Sequence, residues 1–174
     1  MGSKPSLILI GAGAHGRIVA ETIELCGQFR LLGFADDRPE LKDHLVGGVP
    51  IMGSWRELKS DLWFVAVGKC DVRRGIWNEL VAMGRQVLPP LIHPRAFVSA
   101  AARVGNGTVV LAGAVVQAGA MAGEDVIVNS GAVIDHDARI GAHAHLGPNS
   151  TVESFGVVLE QEWIRAGQVV ERRG

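Results

Sequence analysis

The sequence lacks the cysteine content, the excess of one charge and the long apolar runs that mark secreted, nucleic-acid-binding and membrane proteins. Its two cysteines, Cys26 and Cys70, are too few for a disulfide framework and are not spaced as metal ligands. A formal net charge of −1 gives no overall attraction to nucleic acid or to an anionic membrane. The longest early apolar run, Leu7 to Ile10, is too short for a signal peptide or a membrane span. We therefore expect a soluble cytoplasmic protein.

The second half of the chain carries a strict six-residue period of aliphatic side chains. Thirteen positions share this spacing, and twelve of them are Val, Ile or Leu. A helix would carry such positions round its axis, so the period excludes a helical stripe. It predicts a left-handed parallel β-helix, in which each hexapeptide forms one short strand and one corner and three hexapeptides close a triangular coil. The positions are Val98, Val104, Val110, Val116, Ala122, Val128, Ile134, Ile140, Leu146, Val152, Val158, Ile164 and Val170.

The first half begins with a pattern typical of nucleotide-binding turns. Residues 6–10 predict an apolar strand, a glycine-rich turn follows, and a helical pattern begins beyond it. Gly11 and Gly13 permit a tight turn and a close approach of the backbone to a ligand, and Gly16 permits close packing of helix on strand. The free N–H groups at the helix start can hold a phosphate. His15 lies in the same turn, either as a ligand contact or as a helix-start residue facing solvent.

Two further strands are predicted, and each ends near a polar side chain. Leu31 to Phe34 leads to Asp36, which is either a contact for a ribose hydroxyl or a turn residue. Trp63 to Val67 leads to Lys69, which is either a phosphate contact or an exposed loop lysine. The alternation of strands and helices predicts a parallel sheet with right-handed crossovers. It is too short for a full dinucleotide fold, so we expect a half-Rossmann unit that binds one nucleotide.

The division into two domains is predicted at a cluster of prolines. A helix over Val72 to Gly84 and a short strand over Gln86 to Leu88 complete the α/β part. Pro89, Pro90 and Pro94 then break the pattern. We expect an α/β domain over residues 1–90 and the β-helix, with a short C-terminal set of coils, over residues 91–174.

Five motifs distributed over both halves carry a family resemblance. They are Gly11-Ala12-Gly13-Ala14-His15-Gly16-Arg17, Phe34-Ala35-Asp36-Asp37, Ala66-Val67-Gly68-Lys69, Ile92-His93-Pro94 and Val128-Asn129-Ser130-Gly131-Ala132-Val133-Ile134-Asp135-His136-Asp137. In this order they resemble the NeuD/PglD-like bacterial sugar acetyltransferases, which include sialic acid O-acetyltransferase and UDP-4-amino-sugar N-acetyltransferase. The resemblance spans most of the chain. It implies N- or O-acetylation of a nucleotide-linked or free amino sugar with acetyl-CoA as the acyl donor.

The resemblance also implies roles for individual residues. His136 matches the general base, and Asp137 matches the acidic residue that orients or polarises it. His145 matches a histidine near the thioester of acetyl-CoA, and Asn129 matches a residue that lines the acceptor pocket. The nucleotide of the substrate is expected on the first domain, near the glycine turn and Asp36. The acceptor can attack the thioester directly, so no covalent enzyme intermediate is required.

Other interpretations of the histidines stay open at this point. His136, His143 and His145 fall within two hexapeptides, which is a pattern that metal sites also show. Their spacings of seven and two residues do not build an obvious tetrahedral cage, and no cysteine is near, so we expect no metal. His143 is expected to be an ordinary corner residue that tolerates exposure.

The last hexapeptides depart from the family pattern. Bulky and charged residues at 153–155 and 159–163 replace the small corner residues, and the chain stops after little more than four coils. The last segment is therefore expected to be a cap, a misregistered coil or a non-helical tail. An incomplete CoA site would leave a non-catalytic nucleotide-sugar-binding or assembly protein as the alternative. A small NAD-binding protein is a third, weaker alternative that rests on the glycine turn alone.

A homotrimer is expected from the outward-facing aliphatic residues. Strand side chains alternate, so the residue before each core position points away from the prism axis. Aliphatic side chains there are typical of a buried subunit contact. They are Val109, Val115, Ile127, Val133, Val157 and Val169.

Overall fold

The computed structural model describes residues 4–172, and their N-terminal part is a small parallel sheet flanked by helices. Its three strands lie in the order β2-β1-β5, and a short antiparallel hairpin, β3-β4, packs beside β2. The elements are β1 Ser6–Ile10, α1 Ala14–Cys26, β2 Arg30–Ala35, β3 Leu45–Val46, β4 Val49–Pro50, β5 Leu62–Val65 and α2 Cys70–Ala82. Each helix has 13 residues, and no helix of residues 4–172 is long and apolar enough to cross a membrane.

The α/β part forms where the sequence predicts it. Leu7 to Ile10 are all buried, as expected for the central strand of a sheet that is covered on both faces. Helix α1 buries residues spaced three or four apart, Gly16, Val19 and Ile23 among them, and it ends at Gly27 in the left-handed conformation. The strand predicted over residues 86–88 is reduced to one bridge between Val87 and Trp63.

The second half is a parallel β-helix of two-residue strands. Its three sheets are called here the first face (β6, β9, β12, β15, β18), the second face (β7, β10, β13, β16, β19) and the third face (β8, β11, β14, β17). The predicted left-handed parallel β-helix is confirmed. The strands are β6 Leu91–Ile92, β7 Phe97–Val98, β8 Arg103–Val104, β9 Val109–Val110, β10 Val115–Val116, β11 Met121–Ala122, β12 Ile127–Val128, β13 Val133–Ile134, β14 Arg139–Ile140, β15 His145–Leu146, β16 Thr151–Val152, β17 Val157–Val158, β18 Trp163–Ile164 and β19 Val169–Val170. The β-helix begins at residue 91, and the division into two domains at residue 90 remains our proposal.

The thirteen predicted positions form the interior of the prism. Val110, Val128 and Leu146 are fully buried there, stacked one coil above another in the first face. Each aliphatic side chain packs on the residue 18 positions away, because three hexapeptides complete one coil. The six-residue period therefore corresponds to a single continuous apolar core.

The corners share one backbone conformation. Every sixth residue from 107 to 167 has a positive φ, and residues 18 apart occupy the same corner in successive coils. For a residue other than glycine this left-handed conformation costs roughly 1–2 kcal/mol. The corner residues are Gly107, Gly113, Gly119, Asp125, Gly131, Asp137, His143, Asn149, Phe155, Gln161 and Gly167.

The expected irregularity of the last segment is wrong. Strands β16 to β19 continue the register without a break, so the segment is neither a cap nor a tail. Phe155 and Gln161 adopt the same positive φ as the glycines in equivalent positions, at 61° and 59°. Their side chains extend outwards from the corner, so their bulk does not disturb the interior.

Two of the residues expected at a subunit contact are instead covered by the same chain. Val109 and Ile127 point outwards from the first face and pack in one core cluster with Leu7 and Phe64 of the sheet. The α/β part therefore covers the first face. The second face remains uncovered, and its outward residues Phe97 and Val169 are 56% and 53% exposed.

Candidate active site

His136 lies on an exposed corner between the second and third faces. It follows β13, and its Nδ1 is 3.0 Å from Oδ2 of Asp137. This hydrogen bond raises the pKa of His136 above its usual value, with a smaller contribution from the negative charge of Asp135. The carboxylate keeps the proton on Nδ1 in the neutral ring, so Nε2 carries the free lone pair. The geometry leaves a basic nitrogen available to a ligand in solvent.

Residues of the neighbouring coils shape this corner. Asp137 has a φ of 61°, and Gly119 occupies the equivalent corner one coil earlier. Phe155 occupies it one coil later, with its ring perpendicular to that of His136 at 5.4 Å between centroids. Phe155 is half exposed, and the guanidinium of Arg172 lies 5.0 Å above its ring. The imidazole thus has an aromatic wall on the C-terminal side.

His145 belongs to a second cluster, at the junction of the α/β part and the first face. Its Nδ1 is 3.0 Å from the carbonyl oxygen of Gly68, and its Nε2 is 3.2 Å from Nδ2 of Asn129. A carbonyl only accepts, so the ring donates from Nδ1 and its Nε2 accepts from the amide. Asn129 Oδ1 accepts the N–H of Ser130 at 2.8 Å, which orients the amide in this way. We call His145, Asn129, Gly68 and His15 the His145 cluster.

Burial determines the charge of the two histidines in this cluster. Desolvation lowers the pKa of His145, although the bond to Gly68 opposes the shift. His15 lies 6.3 Å from His145 between ring centroids, and its buried Nε2 has no hydrogen-bond partner within residues 4–172. Desolvation, followed by repulsion from His145 in its protonated form and from Arg73, lowers the pKa of His15 to about 4. Both rings are therefore neutral near pH 7, and His15 is not a simple solvent-facing residue.

The glycine turn has the geometry that its sequence predicts. Gly11 has a φ of 108°, and a Cβ on Gly16 would lie 2.1 Å from the carbonyl oxygen of Gly11. Helix and strand therefore approach more closely than any side chain at Gly16 would allow. A cavity of about 380 Å³ lies against the turn, lined by Gly13, Arg17 and residues 45–47 of the hairpin.

Asp36 stabilises the turn and is already paired. Its Oδ2 accepts the N–H of Ala12 at 3.1 Å, and Arg38 donates to both carboxylate oxygens at 2.8 and 2.9 Å. Arg38 lowers the pKa of Asp36 to about 2. A ribose hydroxyl would share Asp36 with Arg38. Lys69, by contrast, is 72% exposed and lies 3.6 Å from Asp71, so its ammonium group extends into solvent.

The structure brings some of the predicted site residues together and separates others. His145, Asn129 and His15 are neighbours, and the glycine turn continues directly into His15. His136 and Asp137 lie apart from them, because the corner of Asn129 precedes the second face and the corner of His136 follows it. In one chain the two groups therefore flank opposite edges of the same face. Within residues 4–172 no three His, Cys, Asp or Glu residues are placed to hold a metal ion.

Several residues of this region do not stand out in the sequence. Trp163, one coil beyond His145, stacks on its ring at 5.7 Å and 12° and is 63% exposed. His143 does occupy a corner, but it is buried against Trp77 and binds Asp125, so its expected exposure is wrong. Both contacts could have been found from the spacing of 18 residues, because one coil of the β-helix places His143 above Asp125 and Trp163 above His145.

Two family models match the chain in separate segments. Residues 6–80 match the PglD N-terminal domain, and residues 123–154 match the bacterial transferase hexapeptide with six repeats. Among curated proteins, UDP-N-acetylbacillosamine N-acetyltransferase of Bacillus subtilis is 35% identical over 112 residues. That match covers 62% of this chain and 51% of the relative, so the match spans about half the length of the relative.

Solved structures match over nearly the whole chain. A point mutant of perosamine N-acetyltransferase from Caulobacter crescentus, in complex with CoA and GDP-perosamine, is 30% identical with a TM-score of 0.84. The match covers 98% of this chain and 84% of that one. The acetyltransferase domain of PglB from Neisseria gonorrhoeae is 34% identical with a TM-score of 0.84, over 95% of this chain and 91% of that one. The same domain has also been solved with acetyl coenzyme A.

The α/β sheet, the hexapeptide coils and the identity to these proteins lead to one assignment. The chain belongs to the family of hexapeptide-repeat sugar N-acetyltransferases that carry a PglD-type N-terminal domain.

Proposed function

We propose that the protein transfers an acetyl group from acetyl-CoA to the amino group of a nucleotide-linked amino sugar in the cytoplasm. The observation that carries this proposal is the His136–Asp137 pair on an exposed corner of a β-helix whose relatives bind CoA and a nucleotide-linked amino sugar. We infer an amine rather than a hydroxyl acceptor because the relatives are N-acetyltransferases.

His136 acts as the general base. The sugar nitrogen forms a bond to the acetyl carbon, the bond from that carbon to sulfur breaks, and the nitrogen loses a proton. Nε2 of His136 can take this proton because Asp137 holds the other ring nitrogen. The carboxylate then stabilises the imidazolium that forms. Acetyl-CoA supplies the activated acetyl group, and the acceptor attacks it directly, without a covalent enzyme intermediate.

The nucleotide binds to the α/β part. The free N–H groups at the start of α1 and the side chain of Arg17 line the cavity beside the glycine turn, where a diphosphate would find both donors and positive charge. Gly11, Gly13 and Gly16 permit the close approach of the phosphates to the backbone, and the exposed ammonium group of Lys69 would contact a phosphate from the solvent side. Asp36 would bind a ribose hydroxyl while sharing its carboxylate with Arg38.

A homotrimer would complete the site. A cyclic trimer uses a heterologous contact, in which two different patches of the subunit meet. The second face offers an uncovered apolar surface, with the corner of His136 along one edge and the His145 cluster along the other. Packing of subunits around a threefold axis would bring His136 of one subunit towards His145 and Asn129 of the next. His145 would then lie near the thioester and Asn129 near the acceptor.

One observation favours the alternative of a non-catalytic nucleotide-sugar-binding protein. The last coils carry Phe155, Glu160 and Trp163 where small residues are expected, and these exposed side chains would obstruct a CoA molecule bound along these coils. The regular register of β16 to β19 supports the enzyme, since the coils continue without a break to Val170.

Calorimetric titration separates these functions. The enzyme is expected to bind both acetyl-CoA and a nucleotide-linked amino sugar, and mass spectrometry of the mixture is expected to show the N-acetylated sugar. Binding of the nucleotide sugar without CoA would select the non-catalytic protein. Binding of NAD alone would overturn both.

A further inference from the structure

A fully buried arginine lies between the two halves of the chain, and the proposed reaction does not use it directly. Arg73 of α2 shares one helix face with Trp77 and Leu80, and its side chain is 1% exposed. Its Nε lies 3.1 Å from Oδ2 of Asp125, which also binds Nδ1 of His143 at 2.8 Å. Arginine stays charged in proteins, so a guanidinium buried this deeply requires a complete set of partners.

Those partners are mainly backbone carbonyls on both sides of the domain junction. Nη1 donates to the carbonyls of Val67 at 3.0 Å and Gly68 at 3.2 Å, in the loop after β5. Nη2 donates to the carbonyls of His143 and Ala144, the two residues before β15. Nε also donates to the carbonyl of Asp125 at 3.0 Å. The planar guanidinium therefore fixes the distance between the loop and the first face.

Both groups of carbonyls adjoin His145. Ala144 precedes it in the chain, and the Gly68 carbonyl accepts hydrogen bonds from Arg73 Nη1 and from His145 Nδ1. Arg73 thus holds two groups in place: the backbone next to His145 and the Gly68 carbonyl that accepts the hydrogen bond from its ring. Both carbonyls belong to the backbone, so the guanidinium fixes the main chain on either side of the imidazole.

We propose that Arg73 is a positioning residue for acetyl transfer: it holds the Gly68 carbonyl against His145, which keeps the ring proton on Nδ1 and leaves Nε2 as an acceptor. With this tautomer His145 Nε2 accepts the hydrogen bond from Asn129 Nδ2 and cannot donate one to the acetyl oxygen. The role of Arg73 in acetyl transfer rests on the proposed function, whereas its effect on the tautomer of His145 does not.

Nitrogen NMR of the histidine rings tests the tautomer without any substrate. The protein with ¹⁵N-labelled histidine is compared with the R73K and R85K variants near pH 7. The lysine of R73K keeps a positive charge next to Asp125, but its ammonium group cannot reach the carbonyls of both the loop after β5 and the β-helix. R85K is the matched control, because Arg85 also donates to two carbonyls, of Trp55 and Arg56, in the same domain and away from His145.

The wild type and R85K are expected to show His145 protonated on Nδ1 only, and R73K a population protonated on Nε2. A wild-type ring protonated on Nε2, or an unchanged ring in R73K, would overturn the proposal. Should R73K fail to fold, R73Q replaces it in the same comparison, with the same expected and contradicting results.

Kinetics give the second readout. R73K is expected to lower kcat/KM roughly 10–100-fold, as a misplaced group near the reacting centre does, while the pH midpoint of His136 stays unchanged. R85K is expected to retain wild-type kinetics. Equal losses in both variants would reduce Arg73 to a structural role. If the wild type transfers no acetyl group, the proposed function fails, and the NMR result still decides the proposal for Arg73.

Discussion

Gly119 makes room for the carboxylate of Asp137. A Cβ built on Gly119 would lie 2.4 Å from Oδ1 of Asp137, one coil further along the same corner. Gly119 also has a φ of 74°, which favours glycine. The orientation of the His136–Asp137 pair therefore depends on a residue that belongs to neither the pair nor its coil.

The first prediction is that Gly119→Ala displaces Asp137 from His136. We expect a loss of kcat/KM and a lower pKa of His136, since the hydrogen bond that raises this pKa is weakened. Gly167→Ala is the matched control, because Gly167 has a φ of 68° with no atom near a built Cβ. Both variants should lose roughly 1–2 kcal/mol of stability from strain. Equal activity of the two variants would show that Gly119 has no influence on the site.

The second prediction concerns pH. His136 must be neutral to accept a proton, and Asp137 raises its pKa above 6.5. The value of kcat/KM is therefore expected to rise with pH, with a midpoint above 6.5, because the kcat/KM profile reports the free enzyme. Asp137→Asn should move this midpoint down, whereas a midpoint that belongs to the amine of the substrate would not move. An identical midpoint in the wild type and in Asp137→Asn would show that His136 is not the group that titrates.

The third prediction is that the subunits meet through the second face. Val133→Glu places a charge in the middle of that face and is expected to dissociate the trimer in sedimentation experiments. Val157→Glu is the same substitution on the third face and is expected to leave the trimer intact. A wild-type protein that sediments as a monomer at micromolar concentration would contradict the trimer itself.

The fourth prediction concerns His15 and acid stability. Its pKa in the folded state is about 4, below the ordinary value of 6.5. Above pH 6.5 the ring is neutral in both states; between pH 6.5 and 4 only the unfolded chain binds the proton. The contribution of His15 to folding stability should therefore fall by roughly 1.4 kcal/mol per pH unit across this window, on the order of 3 kcal/mol in total, and should not change further below it.

Denaturant unfolding of the wild type and His15→Gln at several pH values measures this effect. The protomer concentration is held constant because dissociation of an oligomer contributes to its stability. The variant should show a shallower loss of stability between pH 6.5 and 4. Parallel curves would mean that His15 binds its proton equally well in both states.

The architecture could be predicted from the sequence because it repeats. One aliphatic residue in every six determines the coil, and the glycine turn between strand and helix determines the start of the α/β part. The regular corners beyond Glu153 could not be predicted, although the aliphatic period continues through Val158, Ile164 and Val170. The reason is that corner residues such as Phe155 and Gln161 adopt a positive φ at modest cost. A single sequence shows an unusual residue at a corner, but it does not show how much free energy the positive φ of that residue costs.

The contacts within the site depend on register and on domain packing. The column formed by Gly119, Asp137 and Phe155 follows from the 18-residue spacing once the coil is known. The partners of Arg73 do not, because three of their carbonyls, at residues 125, 143 and 144, lie in the β-helix. The sequence gives one indication of a buried partner for Arg73: this charged residue lies in line with Trp77 and Leu80 on the buried face of α2.

The turnover of His136→Ala tests the central claim most directly. Release of free CoA from acetyl-CoA is measured in the presence of a nucleotide-linked amino sugar. Circular dichroism and sedimentation establish that the variant is folded and assembled. We expect kcat to fall roughly 10²–10⁴-fold relative to the wild type, because the general base is lost. An unchanged kcat in the folded variant would contradict this expectation.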